Sequence, residues 1–275
     1  MYWPLVAAAA AASLGLWMWA SLTEAMPDKL YLLPPTTHIL GPTNRHTIVT
    51  WNTHGINLLP RRPAQHAKRL ARLRHILNTE RPETIALQEM FCPHWQQMVT
   101  KLLRSRGFWV THTGHDKGRF LRRSSGLLLA SQRQLRSPQF RRFAQRCGED
   151  ALVAKGVLTA ELAGGQRLAT VHMQSDCWFA RRERTRQVRE QQLAELLRAP
   201  AADLIVGDFN MTYLEWAAPS IQPYIKLKTP PTWQGLCLDA VLCRTQGNVG
   251  HCRLLPVRPA ESDHHALLYQ HRPLW

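Results

Sequence analysis

Acidic, amide and imidazole side chains stand at the ends of apolar runs in this sequence. The run LIVG, residues 204 to 207, leads straight into Asp208, Phe209 and Asn210. A short apolar run bounded by glycine indicates a buried strand, and Asp208 and Asn210 would then share one face because side chains alternate along an extended backbone. A turn is the alternative, since Gly, Asp and Asn also form turns. The same juxtaposition recurs at Asn52, Glu89, His172, Asp239, Asp263 and His264.

These residue types are suited to one kind of chemistry. A buried carboxylate is costly unless it is paired or bound to a cation. Oxygen ligands suit a hard divalent ion such as Mg²⁺, which keeps several waters and binds substrate phosphate. Histidines can transfer protons to and from the reacting groups. Together the residues predict a metal-assisted phosphodiesterase.

The elements that must position these side chains are also readable in the sequence. Apolar residues recur at helical spacing over 67–77 and 95–103, and a third helix is predicted over 181–198. Several strands follow one another without a helix between them, which favours two packed mixed sheets with helices outside, an α/β fold. The predicted strands are TIVTW (47–51), TIALQ (84–88), GLLLAS (126–131), KGVLTAEL (155–162), RLATVHM (167–173), DLIVGDF (203–209) and LDAVLC (238–243).

The length and the net charge of the chain limit the classes of protein to which it can belong. The chain has 275 residues, of which 45% are hydrophobic, so it can bury one large core. Lys and Arg number 35 against 19 Asp and Glu, and the net charge of +16 attracts polyanions or anionic lipid headgroups. The arginine clusters fall on predicted helices, where a solvated outer face explains them. Charge alone is therefore weak support for a nucleic-acid partner.

The N-terminal segment predicts export. Residues 1–22 contain no charged side chain, which fits both a bilayer span and the apolar core of a secretion signal. Trp3, Trp17 and Trp19 bracket the run as interfacial aromatics would, which disfavours a buried soluble helix. We expect residues 1–25 to be a signal peptide or membrane anchor, 26–45 a proline-rich linker and 46–275 the catalytic domain. The protein would then be secreted or held in the cell envelope.

The six cysteines of an exported chain can pair, whereas those of a cytosolic chain would stay reduced. None has the CxxC spacing of a metal site. Cys243 and Cys252 flank a stretch with Gly and Asn, so a bridge across a hairpin is reasonable. Cys147 and Cys177 are the other candidate pair.

Six motifs, taken together, resemble the endonuclease/exonuclease/phosphatase superfamily. TWNTHG, LQEM, TVHMQ, GDFN, LDAVL and SDHH stand in that superfamily's order across residues 47–265. The resemblance implies a four-layer α/β/β/α sandwich, with two mixed β-sheets packed face to face and flanked by helices. It also implies a metal-dependent phosphoric ester hydrolase whose site lies at the sheet edge where the loops converge.

The resemblance assigns metal ligands on one side of that site. Glu89 would be the principal ligand of Mg²⁺, with Mn²⁺ or Ca²⁺ as alternatives. Asn52 and Asp263 would lie close enough to orient that ion or to hold a second one.

It also assigns the residues that act on the water and the phosphate. Asp239 would hold the imidazole of His264, which would draw a proton from the attacking water. Asp208 and Asn210 would position that water and hydrogen-bond the phosphoryl oxygens as charge builds. His172 would steady the phosphate from the opposite side or assist the leaving group.

A narrower resemblance bears on the substrate. CGEDALVAKGVLTAEL (147–162) and VHMQSDCW (171–178) resemble the middle of bacterial secreted sphingomyelinases, where a Lys-Gly pair starts the strand. This implies a phospholipid headgroup as substrate, and Lys155 would neutralise substrate charge unless it is simply a solvated lysine. Cysteines occur near these positions in that branch, which favours a bridge between Cys147 and Cys177. The long apolar hairpin with which those toxins enter membranes is missing, unless residues 212–224 serve.

Other substrates and classes stay open at this point. A nuclease acting on DNA or RNA would explain the charge of +16 through phosphate contacts. Phosphoinositide phosphatases share the fold, and a catalytically silent membrane-anchored binding module is a third alternative that the intact acid and base positions disfavour. We expect a monomer that acts on a phospholipid at an anionic membrane surface.

Overall fold

The computed structural model describes residues 29–37, 46–55, 63–114, 124–178, 180–198, 202–217, 220–244 and 250–271. The predicted signal peptide or anchor, residues 1–25, lies outside these ranges. None of the helices within them is long and apolar enough to cross a membrane.

The strands in these ranges form two mixed sheets. The order in the first sheet is β1 (Leu30–Leu33), β4 (Trp109–Thr113), β5 (Leu128–Ser131), β3 (Thr84–Gln88), β2 (His46–Asn52), β13 (Ala266–His271), β12 (His251–Leu255). The order in the second is β10 (Tyr224–Lys226), β11 (Asp239–Arg244), β9 (Leu204–Asp208), β8 (Arg167–His172), β7 (Gly156–Leu162), β6 (Leu135–Arg142). Each sheet contains one parallel pair, β2 with β3 and β8 with β9. Because the carboxyl ends of parallel neighbours meet at one edge, these two pairs determine where the site forms.

Helices cover the outer face of each sheet. α1 (Pro63–Thr79) and α2 (Pro93–Ser105) share an apolar cluster with the first sheet, and α3 (Arg182–Arg198) shares one with the second. A third cluster lies between the sheets, because alternate side chains of a strand face opposite layers. Thus Ile48 packs in the cluster between the sheets, while Val49 packs with the helices. The predicted α/β/β/α sandwich is confirmed.

The predicted strands and helices are all present, with ends shifted by a few residues. The strands that the sequence patterns missed are β1, β4, β6, β10, β12 and β13. β1 lies inside the segment 26–45, so the prediction of a linker is wrong for Leu30–Leu33. This apolar tetrapeptide pairs antiparallel with β4, which would otherwise be the free edge of the sheet.

The cysteines differ from the predicted pairing, since all six are free thiols in the structure. Cys243 lies on β11 and Cys252 on β12, which belong to different sheets, so the predicted hairpin between them is wrong, although both side chains pack against the apolar cluster between the sheets. Cys147 and Cys177 are neighbours but not bridged. The Cys177 Sγ lies 3.5 Å from the carbonyl oxygen of Cys147 and 3.4 Å from that of Ser175, and its single S–H can donate to either.

Candidate active site

The side-chain amide of Asn52 connects the carboxyl ends of the two parallel strand pairs, one in each sheet. Asn52, the last residue of β2, donates from Nδ2 to Glu89 Oε1 and to Asp208 Oδ2, both at 2.9 Å. Glu89 directly follows β3 of the same sheet, whereas Asp208 ends β9 of the other. All three side chains are buried. One side chain therefore joins carboxylates from both sheets.

Tight turns begin at these strand ends. Asn52 Oδ1 accepts from the backbone N–H of His54, and Asp208 Oδ1 accepts from that of Asn210. His54, Glu89 and Asn210 all have left-handed backbone, with φ of 46°, 57° and 53°. Such positions cost about 1–3 kcal/mol each and cluster at functional sites. The prediction that Asp208 and Asn210 share one face of a strand assumed an extended backbone. It is wrong, because the strand ends at Asp208 and Asn210 has left-handed backbone.

Asp239 orients the imidazole of His264 by accepting a hydrogen bond from Nδ1. Its Nδ1 lies 2.9 Å from Asp239 Oδ2, and Nε2 lies 3.8 Å from Asp208 Oδ2. Asp239 begins β11 and pairs directly with Asp208 in the antiparallel register. The backbone before His264 is fixed by Ser262, whose hydroxyl donates to the carbonyl of Asn52 at 2.8 Å. The predicted contact between Asp239 and His264 is therefore present in the structure. The catalytic roles of the two residues stay predictions.

His172 approaches the same carboxylates from the second sheet. Its Nε2 lies 3.8 Å from both Glu89 Oε1 and Asp208 Oδ2. The Lys155 ammonium lies 3.0 Å from that nitrogen, 2.9 Å from Asp150 Oδ2 and 2.7 Å from the carbonyl oxygen of Met173.

The contacts of Lys155 correct its predicted role. Its side chain is only 2% exposed, so it is not a solvated lysine. The three acceptors match the three N–H groups of an ammonium, which leaves none directed at a substrate. The structure therefore joins Lys155 to His172 rather than to a substrate position.

The two imidazoles have opposite electrostatic environments. Burial alone would lower the pKa of His264, but the charges of Asp239, Asp208 and Asp263 raise it above the ordinary value. Burial and the nearby Lys155 and His264 hold the pKa of His172 well below the ordinary value. His172 is thus neutral. Because its Nε2 accepts from the Lys155 ammonium, its proton lies on Nδ1, which is buried and has no hydrogen-bond partner among the described residues.

Several carboxylate oxygens suit a cation. Glu89 Oε2 and Asp239 Oδ1 are buried and have no hydrogen-bond partner among the described residues. Burial and the charge of Asp239 raise the pKa of Asp208 to about 7, against the opposing effects of His264, Asn52 and Lys155. Ligand atoms of Asp208, Asp239 and His264 lie within 4.8 Å of one another. These oxygen donors fit a hard divalent ion.

Asp263 is not placed with the other predicted ligands. Its Oδ1 lies 3.1 Å from His54 Nδ1, and its Oδ2 accepts from Trp233 Nε1 at 3.3 Å. Despite partial burial, the hydrogen bond and charge of His54 lower the pKa of Asp263 to about 2. His54 stands between the two acids, with Nδ1 3.9 Å from Glu89 Oε2. The sequence interpretation missed His54, although it lies in the quoted motif TWNTHG.

Two packed mixed sheets with a carboxylate and imidazole site at their shared edge define a class of phosphoric ester hydrolases. Residues 49–264 match the sequence profile of the Endonuclease/Exonuclease/phosphatase family, so the chain belongs to that family. The prediction of a metal-dependent phosphoric ester hydrolase is confirmed at this level. A search of curated proteins finds no significant match.

Solved structures with the same fold come from enzymes with different substrates. A magnesium-bound double mutant of beta toxin from Staphylococcus aureus has a TM-score of 0.69 at 14% identity, over 82% of this chain and 99% of that one. Sphingomyelinase C from Streptomyces griseocarneus has a TM-score of 0.61 at 15% identity, over 83% and 100%. TDP2 from D. rerio, complexed with single-strand DNA product, has a TM-score of 0.59 at 20% identity, over 83% of this chain and 99% of that one. At these identities the likeness establishes the fold.

Proposed function

We propose that this enzyme is a Mg²⁺-dependent phosphodiesterase of the sphingomyelinase type, which removes the headgroup of a phospholipid. The observation that carries the reaction is the placing of one imidazole from each sheet at 3.8 Å from the same oxygen, Asp208 Oδ2. A phosphoryl group bound beside that carboxylate would meet a base, His264, on one side and the neutral His172 with its partner Lys155 on the other.

The proton moves on the side of His264. Its Nε2 takes a proton from the attacking water, while Asp239 on Nδ1 stabilises the imidazolium that forms. Asp208 and Asn210 orient the water. His172 accepts from Lys155 at Nε2, so a hydrogen bond that it donates to a phosphoryl oxygen as negative charge builds must come from Nδ1–H. A divalent cation bound at Glu89 and Asp208 would neutralise phosphoryl charge and lower the pKa of His264 toward that of a working base.

Three features support a lipid substrate. The middle of the chain has sphingomyelinase-like motifs, and the fold matches sphingomyelinase C over the full length of that chain. The charge of +16 favours an anionic membrane as the surface at which the enzyme meets its substrate. The predicted leader would export the enzyme, and an exported enzyme meets lipid headgroups more readily than genomic DNA. Magnesium is the proposed ion because its ligand preferences fit these oxygens, and Mn²⁺ and Ca²⁺ are the alternatives to assay.

A nuclease is the second candidate, since the same charge favours phosphate contacts. The likeness to a TDP2 structure with a bound DNA product also favours it. Duplex binding by such an enzyme would fall steeply between about 50 and 200 mM salt through counterion release.

One panel separates the candidates. The full-length protein is assayed with Mg²⁺ on sphingomyelin, phosphatidylcholine, an inositol lipid and plasmid DNA side by side. We expect phosphocholine release from sphingomyelin that His264→Ala abolishes and that the matched control His75→Ala, exposed on α1, retains. Plasmid nicking that needs Mg²⁺ and His264, without lipid hydrolysis, would overturn the lipid assignment.

A further inference from the structure

Two loops beside the site present large apolar side chains to solvent. Among the described residues, six large hydrophobic side chains are exposed, and three of them are more than three-quarters exposed: Trp178 at 94%, Tyr213 at 81% and Leu214 at 79%. Trp178 follows β8, which ends at His172, and the other two begin α4 (Tyr213–Trp216), five residues after Asp208. These three residues are called the apolar rim. Exposed apolar groups clustered near a site mark an interaction surface.

The orientation of α4 is fixed by its other face. Glu215 is buried, accepts from the Thr212 backbone and hydroxyl at 2.8 and 2.9 Å, and pairs with Arg189 Nη2 at 2.7 Å. Trp216 packs against Phe209 with ring centroids 5.2 Å apart. With that face held inward, the first two residues of this single turn must face outward.

The loop with Trp178 is held by the same arginine. Arg189, whose side chain is 2% exposed, donates from Nη1 to Asp176 Oδ1 at 2.9 Å and to the Gln174 carbonyl at 3.2 Å. Thr185 also donates to Asp176, at 2.8 Å. One buried guanidinium thus joins the loop with Trp178 to the helix that begins with Tyr213 and Leu214.

Cationic side chains adjoin the apolar rim. Arg181, Arg182 and Arg184 are exposed at the start of α3, immediately after the Trp178 loop. Arg182 pairs with Asp176 at 3.4 Å, whereas no described carboxylate lies within ion-pair distance of Arg181 or Arg184. Free arginines beside tryptophan, tyrosine and leucine match the combination by which proteins dock at anionic lipid interfaces.

We propose that the apolar rim and the arginines at the start of α3 dock the enzyme on an anionic phospholipid bilayer. This inference rests on the proposed lipid function and names the surface that would bring the site to its substrate. A nucleic acid is the weaker occupant, because Leu214 has no ring on which a base could stack and yet is as exposed as Tyr213.

Side-chain footprinting tests the surface without requiring turnover. The full-length His264→Ala protein is oxidised by hydroxyl radicals alone, with phosphatidylcholine vesicles, with vesicles that also contain phosphatidylserine, and with a single-stranded oligonucleotide. We expect anionic vesicles to protect Trp178, Tyr213 and Leu214 but not Leu32 or Ile225, which are exposed on the outermost strands β1 and β10. Because footprinting reads each side chain, binding through another segment of the chain does not mimic this pattern.

A substitution measures how much the surface contributes. Trp178→Ser/Tyr213→Ser/Leu214→Ser should keep the wild-type melting temperature, since all three side chains are exposed, and should lower partition onto anionic vesicles by about tenfold or more. The matched control is Leu32→Ser/Ile225→Ser, which should not change partition. Protection of the rim without any lipid hydrolysis by the wild-type enzyme would refute the proposed function while retaining the docking surface. Equal oxidation of the rim with and without vesicles, or protection by the oligonucleotide alone, would overturn the docking surface.

Discussion

At the scale of single residues, the site is organised around one carboxylate. Asp208 Oδ2 accepts a hydrogen bond from Asn52 and has an imidazole on each side, His264 and His172. The pKa values of the imidazoles shift in opposite directions, because burial and Lys155 lower that of His172 whereas the charges of Asp239, Asp208 and Asp263 raise that of His264. The two histidines are therefore proposed to have different roles, because the charges around them differ.

Substitutions of Glu89 and His264 should separate cation binding from proton transfer. Glu89→Ala should lose both cation affinity and cation-dependent turnover, because the buried carboxylate is the proposed ligand. His264→Ala should lower kcat by on the order of 10² or more, while cation affinity measured by calorimetry stays within a few-fold. A His264→Ala enzyme with turnover within about threefold of wild type would contradict the assignment of the base.

At the scale of elements, buried arginines on the flanking helices hold the loops that carry the site. On α1, Arg69 donates from Nη2 to the carbonyl of His54 and from Nε to that of Glu261, both at 2.7 Å. It thereby joins the turn after β2 to the loop before β13. On α3, Arg189 does the same for the loops of the second sheet. Each helix thus positions loops as well as covering a sheet.

Removing the guanidinium of Arg69 should loosen its two loops. We expect Arg69→Met to lower the free energy of unfolding by roughly 3–6 kcal/mol, since each of the two hydrogen bonds from this charged group contributes about 1.5–3 kcal/mol. Hydrogen exchange should rise in residues 53–55 and 258–263, and kcat should fall more than cation affinity. Arg74→Met, exposed on the same helix, is the matched control. Unchanged exchange in both loops would show that Arg69 does not hold them.

At the scale of the whole molecule, the site lies across the seam between the two sheets. Elsewhere the sheets meet through an apolar cluster and through hydrogen bonds such as that of Gln88 Nε2 to Thr170 Oγ1 at 3.0 Å. Asn52 and Glu89 come from the first sheet, and Asp208 and His172 from the second. A ligand that binds both Glu89 and Asp208 would join the sheets, so cation binding should stabilise the entire fold. Any ligand that prefers the folded state has this effect.

Mg²⁺ should therefore raise the melting temperature, and more so at pH 8 than at pH 6. At saturating levels of about 100 times Kd the gain is about 2.7 kcal/mol, or roughly 5–10 °C for a domain of this size. The pKa of Asp208 is raised to about 7, so at pH 6 the bound proton competes with the cation, whereas at pH 8 the carboxylate is ionised. In calorimetric scans, Mg²⁺ should not raise the melting temperature of Glu89→Gln. Glu190→Gln, which removes an exposed acid on α3, should behave as wild type. A gain independent of pH would contradict competition at these carboxylates.

The sequence by itself determined the central strands and the polar groups at their ends. Apolar runs such as TIVTW and LIVG are buried on both faces, so their composition is diagnostic, and a carboxylate or amide directly after such a run must lie at a sheet edge. The outer strands were missed because they lack that composition: β6, LRSPQFRR, is largely polar and contains Pro138, as an edge strand tolerates.

Only the tertiary structure decided how those groups meet. Asn52 and Asp208 are 156 positions apart, and their contact depends on how the two sheets pack. The pairing of Lys155 with His172, the placing of Asp263 with His54, and the separation of Cys243 from Cys252 onto different sheets depend on the same packing. Local sequence specifies backbone conformation and burial over a few residues. Contacts between distant segments are set by the sum of many apolar contacts across the sandwich, which no single motif contains.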